Sequence, residues 1–194
     1  GIPVAITNDA NAAAIGEMTY GAARGMKNFI MITLGTGVGS GIVINGQLVY
    51  GHDGFAGELG HVIMKRNNGR LCGCGRTGCL EAYCSATGVA RTAREFLEIR
   101  TDKSALRGLP LEQITSKDVY DAAVNGDKLA KEIFDYTGNI LGEAFADFTV
   151  FSSPEAIILF GGLAKSGDLL MKPIKESMEK HMMNMFKGKV KVLC

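Results

Sequence analysis

At 194 residues, with 46% hydrophobic and 21% charged side chains, the chain is long enough to bury one core and too apolar to remain disordered. Lysine and arginine number 21 against 20 aspartates and glutamates, so the net charge of +1 gives no overall electrostatic case for binding nucleic acid or a membrane surface. No apolar run is long enough for a bilayer, which excludes a spanning helix.

Residues 3–7 read as a short buried strand, followed by Asn8-Asp9 and an alanine-rich helix over residues 10–24. Phe29–Leu34 is a second strand, and residues 35–41 form a glycine-rich segment after it. Residues 42–44 and 48–50 flank Asn45-Gly46, a pair suited to a type I′ turn because both central positions need positive φ. Residues 51–84 show little periodicity and many glycines, and a stretch of that length in a compact domain is functional or disordered. Helices follow over residues 85–98 and Ser116–Val124, the latter with Thr115 and Asp118 at capping-box spacing. Residues 127–148 form the clearest amphipathic helix, with Leu129, Ile133, Ile140, Leu141, Ala144, Phe145 and Phe148 on one stripe. A strand over residues 155–160 stops at Gly161-Gly162; a helix over 169–186 and a strand over 190–193 complete the order. In that last helix Ile174, Met178 and Met182 make a core stripe, which takes the methionines out of any functional reading. The mixture of strands and helices predicts a layered α/β domain. The chain starts on a strand-like segment with no initiator methionine and ends on another strand, which reads as a piece excised from a longer protein; its start, Gly1-Ile2-Pro3-Val4, lacks the charged leader and cleavage site expected of a signal peptide.

Four constellations carry chemistry. Cys72, Cys74 and Cys79 sit in a tight glycine-rich loop, and five cysteines in all with no secretory signal favour a metal site in a reducing compartment over a disulfide framework. Zinc takes four Cys or His ligands, so three cysteines leave one position, which His61 in the same irregular segment or Cys84 can fill. With all four positions taken by protein the site is structural. The second constellation is Gly35-Thr36-Gly37-Val38-Gly39-Ser40-Gly41, where glycines let backbone N–H groups approach phosphate oxygens and Thr36 and Ser40 add hydroxyls. It opens no helix and no Gly-Lys-Ser/Thr follows, so it is neither a dinucleotide fingerprint nor a P-loop, and a glycine-rich turn explains it equally well. Third, Asn8-Asp9 stand at a strand-to-helix junction, where the helix N-terminus favours a carboxylate able to accept an alcohol proton during phosphoryl transfer, or where they simply cap the helix. Fourth, Glu58 and His61, with Glu81 just past Cys79, offer polar groups for several sugar hydroxyls beside a rigid loop, or are surface carboxylates.

Taken together, the stretches Asn8 to Glu17, Leu34 to Gly41, Gly57-Glu58-Leu59-Gly60-His61 and Cys72 through Glu81 resemble the ROK (repressor, open reading frame, kinase) family of sugar kinases and sugar-responsive repressors. The resemblance implies an actin-like, ribonuclease H-like ATPase fold, with residues 1–194 forming a single sugar- and zinc-binding lobe. It implies ATP-dependent phosphorylation of a hexose at the 6-hydroxyl, glucose foremost, with Asp9 as general base and Asn8, Glu58, His61 and Glu81 as the sugar-binding set. It assigns Gly35, Thr36, Gly37, Gly161 and Gly162 to ATP, with Mg²⁺ as a further cofactor, makes His61, Cys72, Cys74 and Cys79 the zinc ligands, and leaves Cys84 as a buried thiol. It also implies a cytoplasmic homodimer or homotetramer. The alternative within the family is the sugar-sensing domain of a transcriptional repressor. A zinc-ribbon nucleic-acid module is disfavoured by the absence of paired C-x-x-C knuckles and of basic surplus. The family's kinases carry an Asp-x-Gly-Gly-Thr phosphate motif on the other lobe and a C-terminal helix that packs back on it. Neither occurs here, so the isolated chain is expected to be a poor kinase even where its parent is a good one.

Overall fold

The structure, a computed structural model, describes residue 2 and residues 7–194. The strand expected over residues 3–7 therefore falls largely outside the described residues. Helix α1 runs Asp9–Tyr20 and is followed by strands β1 (Phe29–Leu34), β2 (Val38–Ile44) and β3 (Gln47–Leu48). A short helix α2 (Glu81–Cys84) leads into α3 (Ala86–Ile99), α4 (Ser116–Val124) and α5 (Lys128–Ser152), and the chain closes with β4 (Ala156–Phe160), α6 (Asp168–His181) and β5 (Lys191–Leu193).

The five strands form one sheet in the order β3-β2-β1-β4-β5. β1 pairs antiparallel with β2 and parallel with β4, and β4 pairs parallel with β5. β1 is buried at nearly every position, as a strand covered on both faces must be. Ile30, Ile32 and Leu34 belong to the larger core with α3, α4, α5 and α6, whereas Phe29 and Met31 face the smaller core under α1. The predicted stripe of α5 is buried throughout, and each such Leu, Ile or Phe contributes about 1.5–3 kcal/mol relative to exposure. α5 lies directly against α6: a Cβ on Gly142 would come within 2.6 Å of Ile174 O, so glycine there is a requirement of the close helix approach. Ile174, Met178 and Met182 are buried as expected, while Met183 and Met185 are exposed because α6 ends at His181.

Local signals hold where they were strong. Asn45 and Gly46 both have positive φ, at 53° and 75°, and close the β2–β3 hairpin. Thr115 and Asp118 form the reciprocal capping box of α4. Thr115→Ala is expected to cost about 1 kcal/mol, read as a lower denaturant midpoint at unchanged slope. Other boundaries moved. α1 ends at Tyr20 rather than residue 24, because the Glu17 carboxylate turns back to accept from the Ala22 N–H and closes the turn. The glycine-rich segment is not one loop: β2 begins at Val38 and takes in Gly39 and Gly41. Cβ atoms there would meet Ala10 and Ala14 of α1 at 3.1 and 2.9 Å, so these two glycines serve the packing of helix on strand.

Candidate functional site

Asp9 stands in the first turn of α1, directly after the cap residue Asn8, whose Oδ1 accepts from the Asn11 N–H at 2.7 Å. Asn8 is therefore the cap, and the Asp9 carboxylate, exposed and accepting from Ala10 N–H at 2.8 Å, is left at the mouth of a cleft. The cleft has a volume of about 480 Å³, and its walls include Asp9, Thr33, Gly35, Thr36, Gly37, Glu81 and Gly161. The turn Gly35-Thr36-Gly37 is anchored from behind: Gly35 O accepts from Ala86 N–H at 2.8 Å and Thr36 O from the Thr87 hydroxyl at 2.9 Å. Glu81 crosses the cleft floor, with Oε2 accepting from the Val38 N–H at 2.9 Å. A Cβ on Gly37 would lie 2.5 Å from that oxygen.

A second cleft of about 380 Å³ shares Gly35 and Thr36 with the first and extends past Gly162 and Lys165 to Ser116, Lys117 and Tyr120 of α4. Gly161 lines the first cleft and Gly162 the second; the φ of Gly161 is +106°, and a Cβ there would sit 2.5 Å from Leu34 O. Gly161→Ala must therefore push β4 away from β1 at the cleft. Positive-φ strain of about 1–3 kcal/mol is the expected minimum loss, checked by thermal denaturation. Sequence reasoning missed Ser116, Lys117, Tyr120 and Lys165, whose spacing carries only the amphipathic signal of α4 and a short turn.

Glu58 and His61 lie on a different wall. The segment around them is pressed against β2: the Ser40 hydroxyl donates to Gly57 O and accepts from Leu59 N–H at 3.1 Å. A Cβ on Gly60 would collide with Val38 O at 2.1 Å. His61 Nδ1 lies 3.7 Å from Cys72 Sγ, and its Nε2 turns to Glu58 Oε2 at 4.0 Å. Glu81 reaches this wall as well, with Oε1 at 3.5 Å from Cys72 Sγ.

The ligand atoms of His61, Cys72, Cys74 and Cys79 all lie within 4.8 Å of one another and can hold a metal ion. The spacing fits one ion. Two sulfurs ~2.3 Å from a tetrahedral centre stand ~3.8 Å apart; Cys74 and Cys79 Sγ are 3.7 Å apart. Burial pushes the Cys72 thiol up to about 12, and a backbone N–H at Arg76 draws Cys74 down. A cation held at the cluster would displace the thiol protons. Cys84 is outside the cluster. It is buried in the core, and its thiol donates to Thr137 O of α5 at 3.7 Å.

The structure thus gathers Asp9, Gly35, Thr36, Gly37, Glu81 and Gly161 at one cleft, places Gly162 in the next, and groups His61 with the three cysteines. Among the described residues, no helix is long and apolar enough to cross a membrane.

Residues 1–193 match the ROK family. The chain is 46% identical over 179 residues to the glucokinase of Halalkalibacterium halodurans, covering 92% of this chain and 54% of that protein. It is 32% identical over 176 residues to the xylose repressor of Bacillus spizizenii, covering 90% of this chain and 41% of the repressor. A crystal structure of a ROK family glucokinase from Streptomyces griseus in complex with glucose and AMPPNP superposes with a TM-score of 0.89 at 36% identity, over 99% of this chain and 63% of that one. The chain spans about half the length of the curated relatives it matches. The mixed α/β sheet is that of the actin-like ATPase fold of ROK sugar kinases, as the motifs implied. On a match along nearly its whole length, together with these motifs in this geometry, the chain belongs to the ROK family.

Proposed function

We propose that the full-length protein is an ATP-dependent hexose kinase acting on the 6-hydroxyl of glucose, with Asp9 as general base. The observation that carries this reading is the cleft that sets the Asp9 carboxylate opposite the Gly35–Gly37 turn with Glu81 on its floor, in a fold shared with a glucokinase that holds glucose and AMPPNP. In this reading Asn8, Glu58, His61 and Glu81 hold the ring hydroxyls and leave the 6-hydroxyl at Asp9. As that oxygen bonds to the γ-phosphorus of ATP, Asp9 takes its proton. The bond from phosphorus to the β–γ bridging oxygen breaks, and ADP departs with the electron pair. The Thr36 and Gly37 amides and the Thr36 hydroxyl face the transferring phosphate, Gly35 closes the turn by donating its N–H to Gly37 O at 3.0 Å, and Gly161 and Gly162 open the adenosine side toward the cleft lined by Tyr120. Mg²⁺ bound with the nucleotide would supply neutralisation of phosphate charge. His61, Cys72, Cys74 and Cys79 would hold zinc, which in a site closed by protein ligands supplies loop stability rather than reaction chemistry. A cytoplasmic homodimer or homotetramer accompanies this reading.

The second reading, a sugar-sensing repressor domain, is favoured by the identity to the xylose repressor. The deciding assay offers the full-length protein ATP with glucose, mannose, N-acetylglucosamine or N-acetylmannosamine. Turnover on glucose supports the kinase. Sugar binding without turnover on any of the four transfers the assignment to the sensor.

A further inference from the structure

Arg70 has a side chain only 7% exposed, an unusual position for a guanidinium, and the sequence patterns give no reason for it. Its Nε and Nη2 donate to Glu95 Oε2 of α3 at 3.1 and 2.5 Å. Its Nη1 donates to Ala82 O of α2 at 3.1 Å and to Gly88 O of α3 at 3.4 Å. The guanidinium carbon stands 4.6 Å from the centre of the Tyr83 ring. The backbone of the same residue is also engaged: its N–H donates to the Tyr83 hydroxyl at 2.9 Å, and its carbonyl accepts from Gly78 N–H at 2.8 Å.

These contacts join three parts of the site. Gly78 immediately precedes the cysteine that closes the metal cluster. Ala82 immediately follows Glu81. Gly88 lies just past Ala86 and Thr87, which hold the carbonyls of Gly35 and Thr36. A buried cation that donates to both helices fixes the α2–α3 junction against the cysteine loop, and a planar fork does this in a way an ammonium cannot.

We propose that Arg70 is a positioning residue that sets the Glu81 carboxylate against Val38 and the His61 wall. The proposal rests on the reading of Glu81 as a sugar ligand. Because all four cluster residues lie between positions 61 and 79 and are tied by the Ile63–Cys79 and Leu71–Thr77 bridges, metal binding does not require the Arg70 fork.

The test uses Arg70→Lys and Arg70→Met in the full-length, zinc-loaded protein. It reads zinc content, glucose affinity, the KM for ATP and hydrogen exchange at the Val38 amide. Zinc content and the ATP KM are expected to hold, while glucose binding weakens about 10–100-fold, the range for losing a supporting partner. The Val38 amide, which donates to Glu81, is expected to exchange faster than the rest of the β1–β2 ladder. Val38 exchange that is unchanged, or that rises only in step with the ladder, overturns the proposal by reducing Arg70 to general stability. Loss of zinc overturns it too, by moving the role of Arg70 to the metal loop. If the unsubstituted protein binds no hexose, the sugar reading of Glu81 fails, and the Val38 amide still decides the role of Arg70. Should Arg70→Met fail to fold, Glu95→Gln loosens the fork from its solvent side and is expected to give the same pattern at smaller amplitude.

Discussion

Asp9→Ala in the full-length protein is expected to lower glucose phosphorylation by about 10²–10⁴-fold while leaving the fold intact. The fold is insulated because the cap of α1 is Asn8, not Asp9, and the only bond the Asp9 carboxylate makes among the described residues is to the adjacent Ala10 N–H. Its removal deletes no buried packing. Asp9→Asn sharpens the experiment: it keeps the shape and the hydrogen-bonding oxygen but cannot take a proton. If Asp9 is the base, alanine and asparagine fall together in kcat, and glucose affinity changes by much less. If Asp9 serves only to bind sugar, the loss appears in affinity, and asparagine recovers much of it. Activity near the unsubstituted rate in both variants would remove Asp9 from the chemistry altogether.

How much of this was legible in advance depended on whether the signal was local. β1 and α4 were readable to the residue, because a continuous apolar run and a Thr-x-x-Asp cap are written into adjacent positions. The type I′ hairpin at Asn45-Gly46 was readable for the same reason. The metal cluster was legible from spacing, but the choice between His61 and Cys84 was not. It is made by the seating of Gly57 to His61 on β2 and by the burial of Cys84 under α5, both tertiary facts. The glycine-rich segment misled by its uniformity: Gly37 lies in the cleft against Glu81, Gly39 both lines that cleft and admits α1, and Gly41 serves only the packing of α1. Arg70 and the α4 face of the second cleft left no trace, since a buried fork and a pocket wall come from chain segments that meet only on folding.

The loop that carries His61 has few means of holding its shape alone, and this sets the second large effect. Between Gly51 and Leu80 its regular structure is one 3₁₀ turn, Leu59–His61, and two isolated bridges, and Phe55 and Leu71 are exposed on its surface. Its order rests on backbone bonds around Gly78, on the Ser40 and Arg70 contacts that seat it on β2 and on α2 and α3, and on whatever joins the four cluster side chains. Stripping zinc with a chelator is therefore expected to lower the unfolding temperature and abolish glucose binding together. An ion at 1,000 times its dissociation constant stabilises the native state by ~4 kcal/mol, and its removal costs as much. Cys79→Ser is expected to reproduce both losses, because that thiol is fully buried and stands 3.7 Å from Cys74 Sγ. Cys84→Ala is the control. It removes an equally buried thiol five residues away, but one that donates to a helix carbonyl, so stability is expected to drop modestly with zinc content unchanged. Zinc loss in Cys84→Ala, or full glucose binding after chelation, would separate the metal from the sugar wall. The pattern expected here instead makes the ion the support on which His61 is presented.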